Sequence, residues 1–484
     1  MMKELRRVSF GILVLFSTLF ASTTVIQVFQ VDNLRVDPRN VRTLYDSYSA
    51  ERGSIIVGTT NIAESVPSDD VYTYQRTYEG GGLYAPVTGF YSINQGLTGL
   101  EAAMNDQLSG QSNAQFFDQV LALVTGTNAR GASVRLTLNP SVQQAARDAL
   151  GDLTGAAIAL NPKTGEILAL VSTPSFDPND MASHDADKAA ATYQSLLDSS
   201  NSPLDNRAIA STLFHPGSVF KLVVAAAALD SGAMTTSSTV ANPAKLVLPL
   251  STSTIRNSGG GKCGKAETVT IAEALMRSCN IPFAEIGQLV GENTLRDYAE
   301  KFGFGATIEI PMAATPSVYP SGMDDAQLML SSFGQFDVKV SPLQIAMVTS
   351  AIANGGKLMK PTVVDSVLAP DLSPLTTFEA SEYSTPISVE TANTLVQMMI
   401  NNVSNGVASN AQIAGIAVAG KTGTAENGDG EPYTLWFTGF APAEDPQIVV
   451  TVMVADGGGL GQSGSGNSVA APIARAIMKA VLSQ

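Results

Sequence analysis

The sequence predicts an α+β fold with an antiparallel sheet over residues 134–484, and three features carry that expectation. The first is AAIALNPKTGEILALVS, two apolar runs joined by a polar turn, which reads as a pair of adjacent strands. The second is the succession VAGKTGTA, a Gly-Asp-Gly turn, TLWFTGFAP and IVVTVMVAD, which reads as further antiparallel strands closed by an Ala/Ile-rich helix over residues 470–482. The third is the helical sequence that lies between these two strand groups, VFKLVVAAAALD above all, which is apolar nearly all round and so should be buried.

From the N-terminus, Lys3, Arg6 and Arg7, opposed only by Glu4, precede an uncharged run from Val8 to Val31 that ends at Asp32. Such a run can cross a bilayer, which takes about 20 residues. Ala21 and Thr23 offer a weak cleavage site, but the apolar character continues through Val25, Ile26, Val28 and Phe29, so residues 1–31 are expected to be a cytoplasmic tip and an uncleaved anchor. No cysteine lies near enough for lipid attachment. Because positive charge stays in the cytoplasm, everything after Asp32 should lie outside. Residues 32–133 hold short mixed segments with Gly80-Gly81-Gly82 and Ser109-Gly110-Gln111-Ser112-Asn113, turn chemistry without a catalytic pattern, and read as a small accessory domain. The pattern changes at Val134, where VRLTLNPSVQQAARDAL reads as a strand, an Asn-Pro break and an amphipathic helix.

A chain of 484 residues, 44% hydrophobic and with 24 prolines, can bury a large core. Its length suits about two or three domains. The net charge of -15 leaves nucleic-acid binding without electrostatic support.

Three short strings then follow in one order: Ser218-Val219-Phe220-Lys221, Ser278-Cys279-Asn280 and Lys421-Thr422-Gly423-Thr424. S-x-N also occurs at Ser92, Ser199 and Ser465, and K-T-G at Lys163-Thr164-Gly165, where a hairpin turn is expected. S-x-x-K occurs once, and of the S-x-N strings only that at Ser278 lies between Ser218 and Lys421. The order is the specific signal. Pro216 and Gly217 suit a helix start, which puts Ser218 near free N–H groups and the positive end of the helix. Lys221, one turn on, shares its face. A buried lysine favours its neutral form, which can take a serine proton. Alone, the pair would read as a fraying surface helix end. In the second string, residues alternating about Cys279 could put Ser278 and Asn280 into a cleft, the serine as a proton relay and the asparagine on a substrate amide; alone it would read as a helix cap. In the third, Gly423 lets another chain approach a strand, Lys421 offers charge for a carboxylate, and Thr422 and Thr424 offer hydroxyls. Strict alternation sets Lys421 and the threonines on opposite faces, so a local twist at Gly423 is expected.

Rival readings are weaker. The chain's two histidines, His184 and His215, stand in a polar loop and just before the serine, and both read as structural; without H-E-x-x-H a catalytic zinc site has no support, and no metal or cofactor is expected. Gly415 to Thr422 match a phosphate-binding loop literally, but strand-like residues fill the loop and turn-like residues follow the lysine. Gly459 to Gly464 match a dinucleotide fingerprint with only 20 residues after it, too few for the rest of that unit.

Taken together, the three strings resemble those of class B penicillin-binding proteins, membrane-anchored peptidoglycan D,D-transpeptidases, and within them the actinobacterial penicillin-binding protein A type. The resemblance covers nearly the whole chain. Arg52-Gly53-Ser54-Ile55, NPKTGEILALVSTPSFDPN, Ser341-Pro342-Leu343-Gln344, Ala353-Asn354-Gly355-Gly356 and Trp436-Phe437-Thr438-Gly439-Phe440-Ala441-Pro442 are similar to family sequence as well. It implies a penicillin-binding, serine β-lactamase-like domain with helices on both sides of the sheet and a helical subdomain. It also implies a Ser218 acyl-enzyme with Lys221, Ser278, Asn280 and Lys421 as catalytic groups, Thr422, Gly423 and Thr424 binding substrate, and an oxyanion hole from the backbone N–H groups of Ser218 and Thr424. The implied partners are D-Ala-D-Ala stem peptides, β-lactams and a membrane glycan polymerase, since residues 32–133 leave no room for a glycosyltransferase domain. A D,D-carboxypeptidase and a non-catalytic penicillin sensor are the alternatives. A β-lactamase would add a water-activating E-x-x-L-N, which Glu292-Asn293-Thr294-Leu295-Arg296 matches only in part and too soon after Asn280. Finally, Cys263 and Cys279 are the only cysteines, both outside the membrane by the topology argument, and a disulfide between them is expected there.

Overall fold

The computed structural model describes residues 2–26, 50–112, 115, 130–209 and 212–483; Val28, Phe29, Val31, Asp32 and Asn113, named above, lie outside the described residues. Helix α1 (Met2–Thr24) holds a stretch, Lys3–Thr24, whose 22 residues and mean hydropathy of 1.4 make it long and apolar enough to cross a membrane. Its side chains, Leu13, Phe16 and Phe20 among them, are exposed.

Beyond it come strands β1 (Ile55–Val57), β2 (Thr60–Pro67), β3 (Tyr74–Tyr78) and β4 (Ser133–Leu136). Helix α2 (Pro140–Leu150) follows, its start fixed by Asn139, whose side chain accepts from the Ser141 and Val142 N–H groups, and by Pro140 in the first turn. Strands β5 (Gly155–Leu160) and β6 (Ile167–Thr173) form the expected hairpin, with Lys163 in its turn. Strands β7 (Val364–Leu368) and β8 (Pro374–Thr377) come much later, and β9 (Ala419–Ala425), β10 (Thr434–Ala441) and β11 (Ile448–Val454) close the chain's strand set.

Two sheets organise these strands. The larger has the order β8-β7-β4-β1-β2-β3, so strands from both sides of residue 134 share it: β1 pairs parallel with β4, and β7 pairs antiparallel with β4. The other has the order β9-β10-β11-β5-β6 and is antiparallel throughout, which rules out a parallel dinucleotide unit around Gly459. Every residue of β10 and β11 is buried, because helices cover both faces. Leu435, Phe437, Val450 and Val452 pack with Val142, Ala146, Ile473 and Ile477 of α2 and of the helix Ala471–Leu482. Trp436, Phe440, Val449 and Met453 face the helical side, where Pro342–Ala353 and Lys221–Asp230 pack. A chain of buried hydroxyls crosses that interface, Thr349 to Thr438 at 2.6 Å and Thr438 to Thr451 at 2.7 Å. It satisfies polar groups that would otherwise be stranded in the core. One edge of this sheet is β9, which carries Lys421 to Thr424.

Candidate active site

Residues Gly217–Phe220 form a single 3-10 turn that passes into helix α3 (Lys221–Asp230), in which Lys221 to Ala228 are completely buried. A 3-10 turn has three residues per turn, so positions i and i+3 eclipse. Accordingly Ser218 Oγ and Lys221 Nζ lie 2.9 Å apart. The turn is clamped from outside: the Gly217 N–H donates to Gly334 O at 2.9 Å, and Trp436 Nε1 of β10 donates to His215 O at 2.9 Å. Gly217 has a φ of 52°, and a Cβ there would stand 2.8 Å from Thr424 O, so glycine is what lets the turn that carries Ser218 lie against β9. The reciprocal position is Gly423, whose Cβ would stand 2.9 Å from Pro216 O and 3.1 Å from Val219 Cγ1.

The second string is the joint between helices α4 (Ile271–Met276) and α5 (Asn280–Val290). The expected strand-like alternation about Cys279 is not what turns the side chains inward. Ser278 has a left-handed φ of 57°, which costs a non-glycine residue on the order of 1 kcal/mol or more. The conformation is held by the Ser278 and Cys279 N–H groups donating to Leu275 O and Ala274 O at 3.1 and 2.9 Å. It aims two oxygens of one residue at two lysines: Ser278 O receives Lys221 Nζ at 2.8 Å, and Ser278 Oγ receives Lys421 Nζ at 2.6 Å. Cys279 points away and is bonded to Cys263, with 5.8 Å between the Cα atoms. Asn280, at the start of α5, takes Lys221 Nζ on its Oδ1 at 2.8 Å and gives its Nδ2 to Arg256 O at 3.1 Å. One amide hydrogen therefore remains for a substrate.

The third string lies on β9 in unbroken register with β10 from Ala419 to Ala425, with no bulge at Gly423. Lys421 instead reaches the site by its own length, with Nζ also on Thr422 O at 2.8 Å. Thr422 is buried, and Thr424, half-buried, accepts from the Gly466 N–H at 3.3 Å. In this strand the phosphate-loop reading of Gly415 to Thr422 fails physically, since Lys421 is mid-strand and no helix follows it.

Lys221 and Lys421 are both fully buried, and among the described residues no carboxylate bonds either amine. Desolvation, and then the neighbouring Lys421, holds the Lys221 amine well below the ordinary lysine range; desolvation pulls Lys421 down to about 7. The partners of Lys221 fix where its lone pair goes once the amine is neutral. A neutral amine has two N–H donors and one lone pair. Ser278 O and Asn280 Oδ1 can only accept, so they take the two donors and leave the lone pair to the one partner that can donate, the Ser218 hydroxyl. A hydroxyl whose proton rests on a buried amine is an activated nucleophile.

The rival residues are occupied elsewhere. His215 sets Nδ1 at 3.1 Å from Val338 O and Nε2 at 2.9 Å from Lys339 Nζ, so neither ring nitrogen bonds Ser218, and His184 bonds Asp70. The Glu292 carboxylate accepts from the Gly322 and Met323 N–H groups, both at 2.9 Å, and from Arg296, which leaves it tying down a loop. Sequence reasoning missed Arg256, Asn257 and Gly334, which fix the site from outside the strings. They reach it only through contacts distant in sequence, so no local pattern marks them.

Comparison with known proteins agrees with this geometry. Residues 155–479 match the penicillin binding protein transpeptidase domain family, and residues 52–134 match the penicillin binding protein A dimerisation domain. The peptidoglycan D,D-transpeptidase PbpA of Mycolicibacterium smegmatis is 42% identical over 99% of both chains, and that of Mycobacterium tuberculosis is 40% identical over the same shares. Among solved structures, the ceftriaxone acyl-enzyme complex of penicillin-binding protein A from M. tuberculosis superposes with a TM-score of 0.86 at 39% identity, covering 90% of this chain and 100% of that one. A buried lysine whose partners leave its lone pair to one serine, in a chain alike from end to end to these proteins, has one placement: this protein belongs to the penicillin-binding protein transpeptidase family.

Proposed function

We infer that this chain is a peptidoglycan D,D-transpeptidase that works through an acyl-enzyme on Ser218 and is captured there by β-lactams. The observation that carries the reading is the placement of the buried Lys221 amine, 2.9 Å from Ser218 Oγ with its two other partners able only to accept, so that once neutral it turns its lone pair to the Ser218 hydroxyl. Ser218 Oγ attacks the carbonyl of the penultimate D-alanine of a stem peptide while Lys221 takes its proton. The backbone N–H groups of Ser218 and Thr424 receive the developing oxyanion. The C–N bond then breaks, and the terminal D-alanine leaves with a proton relayed through Ser278, whose carbonyl and hydroxyl touch the two lysines. An amine of a neighbouring stem attacks the ester, its proton returns by the same route, and Ser218 is restored. Lys421, Thr422 and Thr424 hold the terminal carboxylate, and the edge of β9 takes the stem as an added strand. In a β-lactam the leaving nitrogen stays tethered to the acyl group and occupies the side from which an acceptor amine would attack the ester, so the ester persists.

The same reading places α1 in the membrane with the rest of the chain outside, residues 32–133 as an accessory domain and residues 134–484 as the catalytic one. A membrane glycan polymerase supplies the strands that are cross-linked. Supplying the purified protein with a D-Ala-D-Ala donor peptide and a labelled D-amino acid acceptor tests the reaction. The expected product is the labelled, D-alanine-exchanged peptide. Release of D-alanine with only hydrolysed donor would assign the carboxypeptidase instead, and a β-lactam adduct with no turnover of any donor would leave a sensor.

A further inference from the structure

The catalytic groups on the Ser278 arm are held by a segment that none of the three strings includes. Helix α5 begins at Asn280 without a side-chain cap of its own, since Cys279 at the cap position makes none. The missing acceptor comes from 24 residues earlier: Asn257 Oδ1 takes the Ile281 N–H at 3.0 Å. A buried helix start needs such an acceptor for its orphan N–H groups. Asn257 is itself only 6% exposed, and its Nδ2 donates to Gly261 O at 3.0 Å, which closes the intervening loop on itself. Next to it, Arg256 O takes Asn280 Nδ2 at 3.1 Å. At the far end of the loop Cys263 is bonded to Cys279, and Asn242 grips the Cys263 backbone at both ends, with 2.8 Å to its carbonyl and 2.7 Å from its N–H.

Residues 256–263 therefore hold three consecutive positions, Cys279, Asn280 and Ile281, by a covalent bond and two hydrogen bonds. Their effect on chemistry runs through one amide. With Nδ2 tied to Arg256 O, the Asn280 amide must turn Oδ1 toward Lys221, and that contact is one of the two acceptors that steer the amine's lone pair to Ser218. We propose that Asn257 is a positioning residue for acylation, which fixes the start of α5 and the neighbouring Arg256 carbonyl so that Asn280 orients the Lys221 amine on the Ser218 hydroxyl. The proposal rests on the reading of Ser218 and Lys221 given above. Asn257 touches no reacting atom, so its effect should fall on the rate of the chemical step and spare the binding that precedes it.

The test is stopped-flow acylation of the full-length, detergent-solubilised protein by a fluorescent penicillin, resolved into a pre-covalent dissociation constant and an acylation rate constant. It is run well below each variant's melting temperature and across pH. Displacing a catalytic group by a fraction of an ångström to an ångström costs up to about a hundredfold in rate. Asn257→Ala is accordingly expected to lower the acylation rate constant roughly tenfold or more, with the dissociation constant within about twofold of the parent. The acid limb of the rate profile should also move to higher pH as the loosened amine becomes better hydrated. Asn257→Asp, which keeps the acceptor for Ile281, is expected to recover most of the rate. Asn257→Ser, too short to reach Ile281, makes the same comparison if the alanine variant does not fold. Parent-like acylation in the alanine or serine variant, or a change confined to melting temperature, would overturn the proposal while leaving Ser218 as nucleophile. Absence of an adduct on the parent protein would instead overturn the reading beneath it.

Discussion

At the scale of single residues, the account rests on burial making two lysines unlike ordinary lysines. Lys421 titrates at about 7 and Lys221 well below the usual range, while in the unfolded chain both return to ordinary values near 10.5. Two pH dependences follow. The acylation rate should rise with pH as Lys221 loses its proton and becomes able to take that of Ser218. Stability should move the same way between about pH 7 and 10, because there the unfolded chain binds more protons than the folded one. Chemical denaturation of the parent and of Lys421→Met across that range checks the sign: the parent's stability should climb relative to the variant's. A parent curve flat against the variant would mean that Lys421 is charged when folded. Gly217→Ala tests the other residue-scale claim. A Cβ at 2.8 Å from Thr424 O on a φ of 52° should cost roughly 1–3 kcal/mol and slow acylation at least tenfold, read by calorimetry and adduct formation. The strings themselves were legible because each packs its chemistry into four residues or fewer. The left-handed turn at Ser278 was not, since nothing in Ser-Cys-Asn marks a φ of 57° that is imposed by the joint between two helices.

At the scale of elements, the reading succeeded where an element is bounded by its own punctuation. The hairpin of β5 and β6, the strands β9 to β11 and the Asn-Pro start of α2 all announce themselves by turn and cap residues. The twist expected at Gly423 is not needed for Lys421 to reach the site. A lysine is long enough to reach Ser278 from a regular strand, as the unbroken register shows. The element-scale prediction concerns the bond from Cys263 to Cys279, 16 residues apart. Closing a loop of that size removes about 3 kcal/mol of unfolded-chain entropy. The double serine variant should therefore melt several degrees lower, and non-reducing peptide mapping of the parent should recover the two cysteines as one linked peptide. Two separate thiol peptides would contradict it.

At the scale of the whole molecule, the larger sheet ties the accessory region to the rest of the chain. β4 lies between β1 on one side and β7 on the other, and its Val134 and Leu136 are buried against both. That pairing was beyond the sequence, because β7 lies more than two hundred residues from β4 and no local signal names its partner. A fragment of residues 134–484 would leave β4 as a bare apolar edge, so it should aggregate or melt below a fragment of residues 50–484, by light scattering and calorimetry. Equal solubility and melting temperature would show two independent units. Whether Ser218 is a nucleophile served by Lys221, in a site that activates water poorly, can be read from the mass of the protein. Intact-mass spectrometry follows the protein after brief exposure to penicillin G, and again after removal of free drug, for the parent, Ser218→Ala and Lys221→Ala. The account predicts one full-size adduct on the parent, still present long after the drug is gone, and none on either variant. A full-size adduct on a variant, or loss of the parent's adduct within seconds with catalytic consumption of penicillin, would contradict it.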